Sequence, residues 1–394
     1  MKTPLFFLIF LALATAPLDA VEPRPLRDSG NESLRNEIQS AISKGLAFLK
    51  AQQHADGSFR NPLTPAAEPE HPALTALPLL AFYRDPAGSA REANAALLAK
   101  GYGFLRSHVQ PDGGIYLKGL SNYNTSVSLM ALLNSGEPKD EPILLAARNF
   151  VAGQQASGMI KPETNGGFGY GPTGSSPRRP HPDLDNTLVS LEALRTFARA
   201  RPAVEVSAGK DLDWKAAIDF ISRCQNLPSH NEMAWASDDP QNKGGFVYYP
   251  GFTNSETVEL PGGKKALRSY GSMSYAGLLS FIYADLRKDD PRVQAALDWL
   301  EKNYSLEENP GMGRQGLYYY YHLAAKGLAT AGLRELTTPE GKPINWPREL
   351  GLKLIQLQNG DGSWVNDTAR WMEKDPVLVT AYSVLTLEII HQQL

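Results

Sequence analysis

The 394-residue chain holds one cysteine, Cys224, so an internal disulfide is excluded and the core alone must hold the fold. Cys224 falls in a helical pattern, Trp214 to Gln225, and reads as a small buried hydrophobe rather than a nucleophile. Charge of one sign is missing too. The 39 basic residues nearly balance the 42 acidic ones, for a formal net charge of −3. No long block of like charge occurs, which excludes a charged tail and argues against binding nucleic acid by phosphate neutralisation. Hydrophobic residues make up 42% of the chain, too many for disorder as the main state.

Long apolar runs are also lacking. The run from Leu5 to Leu13, behind Lys2, is shorter than the roughly 20 residues that a spanning helix needs. Ala14-Thr15-Ala16 and Leu18-Asp19-Ala20 follow as small-residue cleavage sites. Residues 1–20 therefore read as a secretory signal peptide, and export to the periplasm or beyond the cell is expected. A retained N-terminal anchor is the alternative. Residues 21–35 are polar with Pro and Gly and read as a linker; the fold is expected over 36–394.

What is abundant is repetition. Small residues precede an aromatic or aliphatic residue by three or four positions in Ala41 to Leu49, Leu97 to Leu105 and Ala146 to Val151. The same stripe returns in Ala216 to Ile221, Ala295 to Leu300 and Leu350 to Ile355. A Gly/Asp turn follows most of them. Gln53 to Phe59 matches Gln358 to Trp364 position for position, and Pro111 to Gly114 is a shortened copy. Asn165 to Tyr170 and Lys243 to Tyr248 are variants. Asp-Gly supplies a side-chain acceptor and a positive-φ position, which stops one helix and turns the chain.

Second helices then begin at a polar or proline cap. His71-Pro72, His181-Pro182 and Asp375-Pro376 align directly; the others run near Ser121 to Ser135, Arg268 to Leu286 and Arg314 to Leu328. Six hairpins and almost no strand are expected. The last helix, Pro376 to His391, is apolar around much of its circumference, unlike the polar cap an open solenoid requires. The repeats are therefore expected to close into a double ring with the second helices inside.

The turn Gln358 to Trp364 resembles the QW repeat of squalene and oxidosqualene cyclases and, more loosely, of protein prenyltransferase β subunits. The resemblance covers roughly Asn36 to Leu394 and implies an all-α, single (α/α)6 barrel. Hopene-type cyclases usually use two barrels, and this chain has length for one, so a second would come from a partner or the complete cyclase cavity is missing. Oligomeric state is left open.

Class II terpene cyclases carry Asp-x-Asp-Asp-Thr at the start of an inner helix, after a Gly-Gly-aromatic segment. Here Gly166-Gly167-Phe168 precedes Asp183-Leu184-Asp185-Asn186-Thr187. The resemblance implies Asp185 as proton donor, with Asp183 and Asn186 orienting it; Asn186 departs from the family's aspartate. Such chemistry needs a strong carboxylic acid in a dry pocket and aromatic faces to hold a cation. Candidate wall residues are Phe168, Tyr170, Trp235, Phe246, Tyr270, Tyr275, Tyr318, Tyr319, Tyr320, Tyr321, Trp364 and Trp371. Against this, Asp183 can simply cap the helix and Asp185 complement its dipole. Aligned on the prolines, the positions of Asp185 hold Thr75 and Val379, and those of Asp183 hold Ala73 and Val377, so the barrel does not demand acids there.

Prenyltransferases bind zinc, but Arg268, Tyr270 and Val379 stand where that family's ligands align. No metal and no organic cofactor are expected. The Tyr318 to His322 run spans all faces of a helix and is expected mainly to pack. His71 and His181 read as turn residues, and Glu232, Asp238 and Asp239 as solvated loop residues. The expected function is that of an exported terpene-cyclase-like, proton-initiated isomerase acting on or binding an isoprenoid or other apolar ligand, with peripheral membrane contact possible and nucleic acid excluded. The alternatives are a barrel that binds a lipid or a protein without catalysis, and an (α/α)6 glycan-processing enzyme that pairs Asp185 with Glu232 or Asp239.

Overall fold

The computed structural model describes residues 29–61, 71–159, 161–171, 181–204, 211–338, 340–368 and 370–394. The expected signal peptide and the linker up to residue 28 lie outside the described residues. Helix α1 (Ser29–Ala51) opens the fold, so residues 29–35 are helical rather than linker, and Leu34 is buried in the core. After it come α2 (Pro72–Arg84), the short α3 (Ser89–Ala93), α4 (Ala95–Ser107), α5 (Ser121–Leu132), α6 (Glu141–Gly153) and α7 (Leu184–Ala200). Then follow α8 (Trp214–Arg223), α9 (Gly271–Tyr283), α10 (Pro291–Lys302), α11 (Leu317–Thr330), α12 (Trp346–Leu357) and α13 (Pro376–Gln393). Strands β1 (Thr257–Leu260) and β2 (Lys264–Leu267) form one antiparallel hairpin between α8 and α9, and β3 (Leu336–Thr337) with β4 (Pro343–Ile344) forms another.

The helices make a closed double ring, the (α/α)6 barrel expected. Helices α2, α5, α7, α9, α11 and α13 contact one another in that order, and α13 returns to α2. Helices α1, α4, α6, α8, α10 and α12 lie outside them, and α12 meets α1. Helices buried on both sides must be apolar or internally satisfied all round, and those with one wet face need only a stripe. Accordingly α9 buries all but one of its residues, whereas α8 buries only Ala217, Phe220, Ile221 and Ser222. Among the described residues no helix is long and apolar enough to cross a membrane.

The turns lock neighbouring repeats together. The carboxamide of Gln53 donates to Gly57 O in its own turn and to Leu97 O of α4. Gln155, Gln225 and Gln358 repeat this, reaching Asp213 O, Arg292 O and Ala41 O of the next outer segment. The last of these closes the ring. The turn aromatics are fixed from inside: Phe59 N, Phe168 N and Trp364 N donate to Thr75, Thr187 and Thr380 Oγ1, and Phe246 N to Ser274 Oγ. Thr125 takes Ile115 N in the same way.

These bonds correct the proline-based register. Thr75, Thr125, Thr187, Ser274 and Thr380 are equivalent, so the counterparts of Asp185 are Ala73, Tyr123, Ser272 and Leu378, not Thr75 and Val379. The counterparts of Asp183 are His71, Ser121, Tyr270 and Pro376, not Ala73 and Val377. Thr187 thus belongs to the scaffold. No counterpart of Asp185 is an acid, so the carboxylate is a feature of this one repeat.

Candidate active site

The first turns of the six inner helices converge on one face of the ring, around a cavity of about 390 Å³. Apolar wall comes from Ala73, Leu74 and Leu77 of α2, Met273 of α9 and Leu378 of α13. Tyr123, Tyr170, Tyr248, Tyr270, Tyr319 and Tyr382 add aromatic faces and hydroxyls. Trp371 and Met372 stand at the rim, more than a third exposed, both in the left-handed backbone region (φ 55° and 63°). Two carboxylates reach the cavity, Asp185 and Glu373.

The two carboxylates differ in what they are bound to. Glu373 is 1% exposed and accepts from Tyr319 N at 2.8 Å and Asn366 Nδ2 at 2.6 Å. The N–H groups of Leu317 and Tyr318 also turn to it. It caps α11, whose own N-cap position is Gly316 and has no side chain. Burial pushes its carboxyl above the usual range despite those donors. Asp185 projects from the first turn of α7 and is half-buried, and the Tyr319 hydroxyl donates to its Oδ1.

Asp183 lies behind it, fully buried at the N-cap of α7. Its oxygens accept from Asn186 N at 2.8 Å and from Asn186 Nδ2 at 3.0 and 2.9 Å, and the Tyr248 hydroxyl bonds it as well. Burial above all, then the charge of Asp185, push Asp183 up to about 8 against the pull of these donors. Asp183 therefore keeps its proton at neutral pH, directly behind the cavity-facing Asp185. The asparagine that departs from the family pattern has a structural use: its carboxamide clamps both oxygens of Asp183, which a third carboxylate would repel.

Below the cavity the lumen narrows. The Tyr123 and Tyr382 hydroxyls meet at 3.2 Å, and beneath them Lys326 Nζ bonds both oxygens of Glu192 at 2.9 Å. That ion pair, only slightly exposed, lies in the lumen away from Asp185.

Of the expected wall residues, Tyr170, Tyr270, Tyr319 and Trp371 line the cavity. Phe168, Phe246, Trp364 and Tyr275 do not; they are wholly buried between helices, the three turn aromatics because their backbone is tied to the inner threonines and serine, and Tyr275 because it packs from α9 against Tyr320 of α11. Trp235 sits half-buried in the loop after α8, away from the cavity wall. Within the tyrosine run only Tyr319 faces the cavity. Tyr320 and Tyr321 donate to Ser305 O and Leu306 O instead, and Tyr318 is buried against its neighbours.

Sequence reasoning missed Tyr123, Tyr248, Tyr382 and Glu373. Tyr123 had a signal, since in the correct register it occupies the Asp185 position. His71, expected as a turn residue, lines the cavity with Nδ1 3.5 Å from Asn124 Nδ2, and burial lowers its pKa. His181 stacks on Tyr249 with ring centroids 4.0 Å apart. The second carboxylates of the glycan reading are not in the site: Asp239 pairs with Arg268 at 3.0 Å, and Glu232 is exposed in the loop. Among the described residues no cluster of three or more metal-ligating side chains exists.

Losing the Tyr319 hydroxyl removes a hydrogen bond to a carboxylate, worth roughly 1.5–3 kcal/mol. Tyr319→Phe is expected to lower kcat about tenfold with little change in KM, in steady-state kinetics on any substrate that turns over. Equal kinetics for the two proteins would remove Tyr319 from the site.

A ring of this kind places the protein among the (α/α)6 toroids. No protein-family model and no curated protein sequence matches the chain. Solved structures do. Type II terpene cyclase MstE from Scytonema superposes with a TM-score of 0.54 at 14% identity, covering 91% of this chain and 99% of that one. The same cyclase in complex with geranylgeranyl dihydroxybenzoate gives 0.53 at 14%, over 92% and 99%. Cellobiose 2-epimerase from Bacillus thermoamylovorans gives 0.58 at 14%, again over 92% and 99%. At such identities the likeness establishes the fold, which terpene-cyclising and sugar-processing proteins share, and leaves the chemistry to the site.

Proposed function

We propose that this chain is an exported barrel of terpene-cyclase type that takes an isoprenoid or similar apolar ligand, with Asp185 as the general acid. The observation that carries this reading is the cavity itself: apolar and tyrosine-walled, with Asp185 facing in and a buried second carboxyl behind it. Asp185 gives its proton to a terminal alkene carbon. The π pair becomes the new C–H bond, the neighbouring carbon becomes a tertiary cation, and the next alkene attacks it to close a ring. The last cation returns a proton to solvent, so the reaction is a net isomerisation. Tyrosine faces stabilise the cation in passing, and Asp183 with Asn186 positions the acid. The signal-like residues 1–20 support export.

A sugar would need a lining rich in hydrogen-bonding groups, and this wall is mostly aliphatic and aromatic. Barrels that only bind lipid share the apolar wall but have no use for a carboxyl facing into it with a second, buried carboxyl behind. The test is incubation of the purified protein with linear polyprenyl compounds in deuterium oxide. A cyclic isomer carrying one deuterium on its skeleton is the expected product. Ligand retention without turnover would favour the binding barrel. Binding of an oligosaccharide but of no polyprenyl compound would overturn the reading.

The Asp183–Asp185 pair also sets a pH profile. Activity is expected to fall above about pH 8, where Asp183 loses its proton and sets a second negative charge behind Asp185. Stability follows the same group. A carboxyl whose pKa is higher folded than unfolded adds stability that is complete at low pH and is lost as pH climbs through the folded value. Asp183 moves from an ordinary 3.8 to about 8. Between pH 5 and 8, thermal melts of the wild type should therefore decline more steeply than those of Asp183→Asn. Parallel declines would show that Asp183 is not held protonated.

A further inference from the structure

At the cavity rim stands an arginine, Arg370, held by neutral groups. Arg370 Nη1 donates to Gln315 Oε1 at 2.7 Å and Nη2 to Asn254 Oδ1 at 2.9 Å. The guanidinium lies 4.3 Å over the Trp371 ring. Among the described residues no carboxylate comes within ion-pair distance of it, so its charge is held in place by neutral amides and a cavity-wall indole.

Those anchors sit where two spaces meet. Asn254 lines the apolar cavity and also a neighbouring groove of about 470 Å³, and Gln315 lines that groove. The groove is polar, with Gln241, Ser255, Ser269 and Asn303 in its wall. The charged residues in that wall are Arg268 and Glu256, 3.7 Å apart, and Arg268 also lies 3.0 Å from Asp239, so this arginine, unlike Arg370, is already committed to carboxylates. Asn254 also donates to the Tyr270 hydroxyl at 3.2 Å, which carries the network into the cavity. The backbone here is clamped: Trp371 and Met372 are left-handed, and Glu373 fastens the segment to α11. The N-termini of the inner helices point to this same face, which favours negative charge there.

We infer that the ligand is amphipathic, an isoprenoid tail bearing an oxyanion head, with the tail in the apolar cavity toward Asp185 and the head on Arg370 at the groove. This rests on the isoprenoid reading and narrows it. A guanidinium offers several N–H donors in one plane, and two are already spent on amides; the remainder suit a carboxylate or a phosphate oxygen pair. A neutral hydrocarbon would leave the charge unused.

Isothermal titration of the full chain with farnesol, farnesoic acid and farnesyl monophosphate tests this. Wild type is expected to prefer an anionic ligand over the alcohol by at least about tenfold at low salt, with the preference shrinking as salt rises. In Arg370→Gln the ratio should collapse to near one, and Arg370→Lys should keep part of it. The tighter of the acid and the monophosphate identifies the head as carboxylate or phosphate. Equal affinity for the alcohol and both anions in the wild type, or a preference that survives Arg370→Gln, overturns the inference and leaves the isoprenoid reading standing. Failure of all three ligands to bind overturns both.

Discussion

Asp185→Asn is expected to lower isomerisation by about 10³-fold or more, because a positioned general acid supplies a factor of this order. An amide keeps the side-chain shape and can still accept from Tyr319, so ligand binding should persist. The other cavity carboxylate cannot substitute, since the oxygens of Glu373 are engaged by Asn366 and the first N–H groups of α11. Two measurements decide the matter together: turnover of a polyprenyl substrate, and retention of that ligand by native mass spectrometry. Loss of turnover with retained ligand is the expected pattern. Activity within about tenfold of wild type would place the acid elsewhere. The companion Asp183→Asn should be milder, because asparagine also serves at an N-cap and the proton donor is still present.

The second large effect concerns the ring rather than the chemistry. Gly166→Ala is expected to destabilise the fold by about 4 kcal/mol or more, through left-handed strain added to overpacking. Gly166 has φ +91°, and a Cβ there would lie 1.9 Å from the Ala216 carbonyl oxygen in α8. That oxygen belongs to helix backbone and cannot swing aside. Gly244 faces Ala295 O of α10 at 2.0 Å in the same way, so the turn glycines let each repeat touch the next outer helix. Gly103→Ala provides the control. It lies inside α4 with open space around it, and alanine is preferred to glycine in a helix by about 1 kcal/mol. Thermal melts should show a large drop for Gly166→Ala and no drop for Gly103→Ala. A Gly166→Ala protein that melts with the wild type would mean the contact is not made.

The repeat was legible because it is local. Each turn needs its own glycine, glutamine and aromatic, and each inner helix its own cap, so helix count, hairpin order and ring closure follow from the pattern. Tyr170, Tyr270, Tyr319 and Trp371 could be named as cavity wall because they are aromatic residues of the repeat turns and inner helices. The error over Phe168, Phe246 and Trp364 has one cause. A bulky aromatic in a repeat looks the same whether it faces the lumen or wedges between two helices, and only the bonds to Thr187, Ser274 and Thr380 show which. The same bonds reset the register and replaced Thr75 and Val379 by Ala73 and Leu378 opposite Asp185.

The sequence by itself determined the all-helical closed ring, the absence of disulfides and the acidic pair in a single repeat, since all of these rest on residues close together in the chain. The tertiary structure alone decided which carboxylate faces the cavity, which is committed to capping α11, and which tyrosines share the wall. Glu373, Tyr319 and Asp185 come from three distant segments, and only ring closure brings them to one face. The charge on Arg370 gains its meaning in the same way, from amides far from it in sequence that hold it where an apolar cavity meets a polar groove.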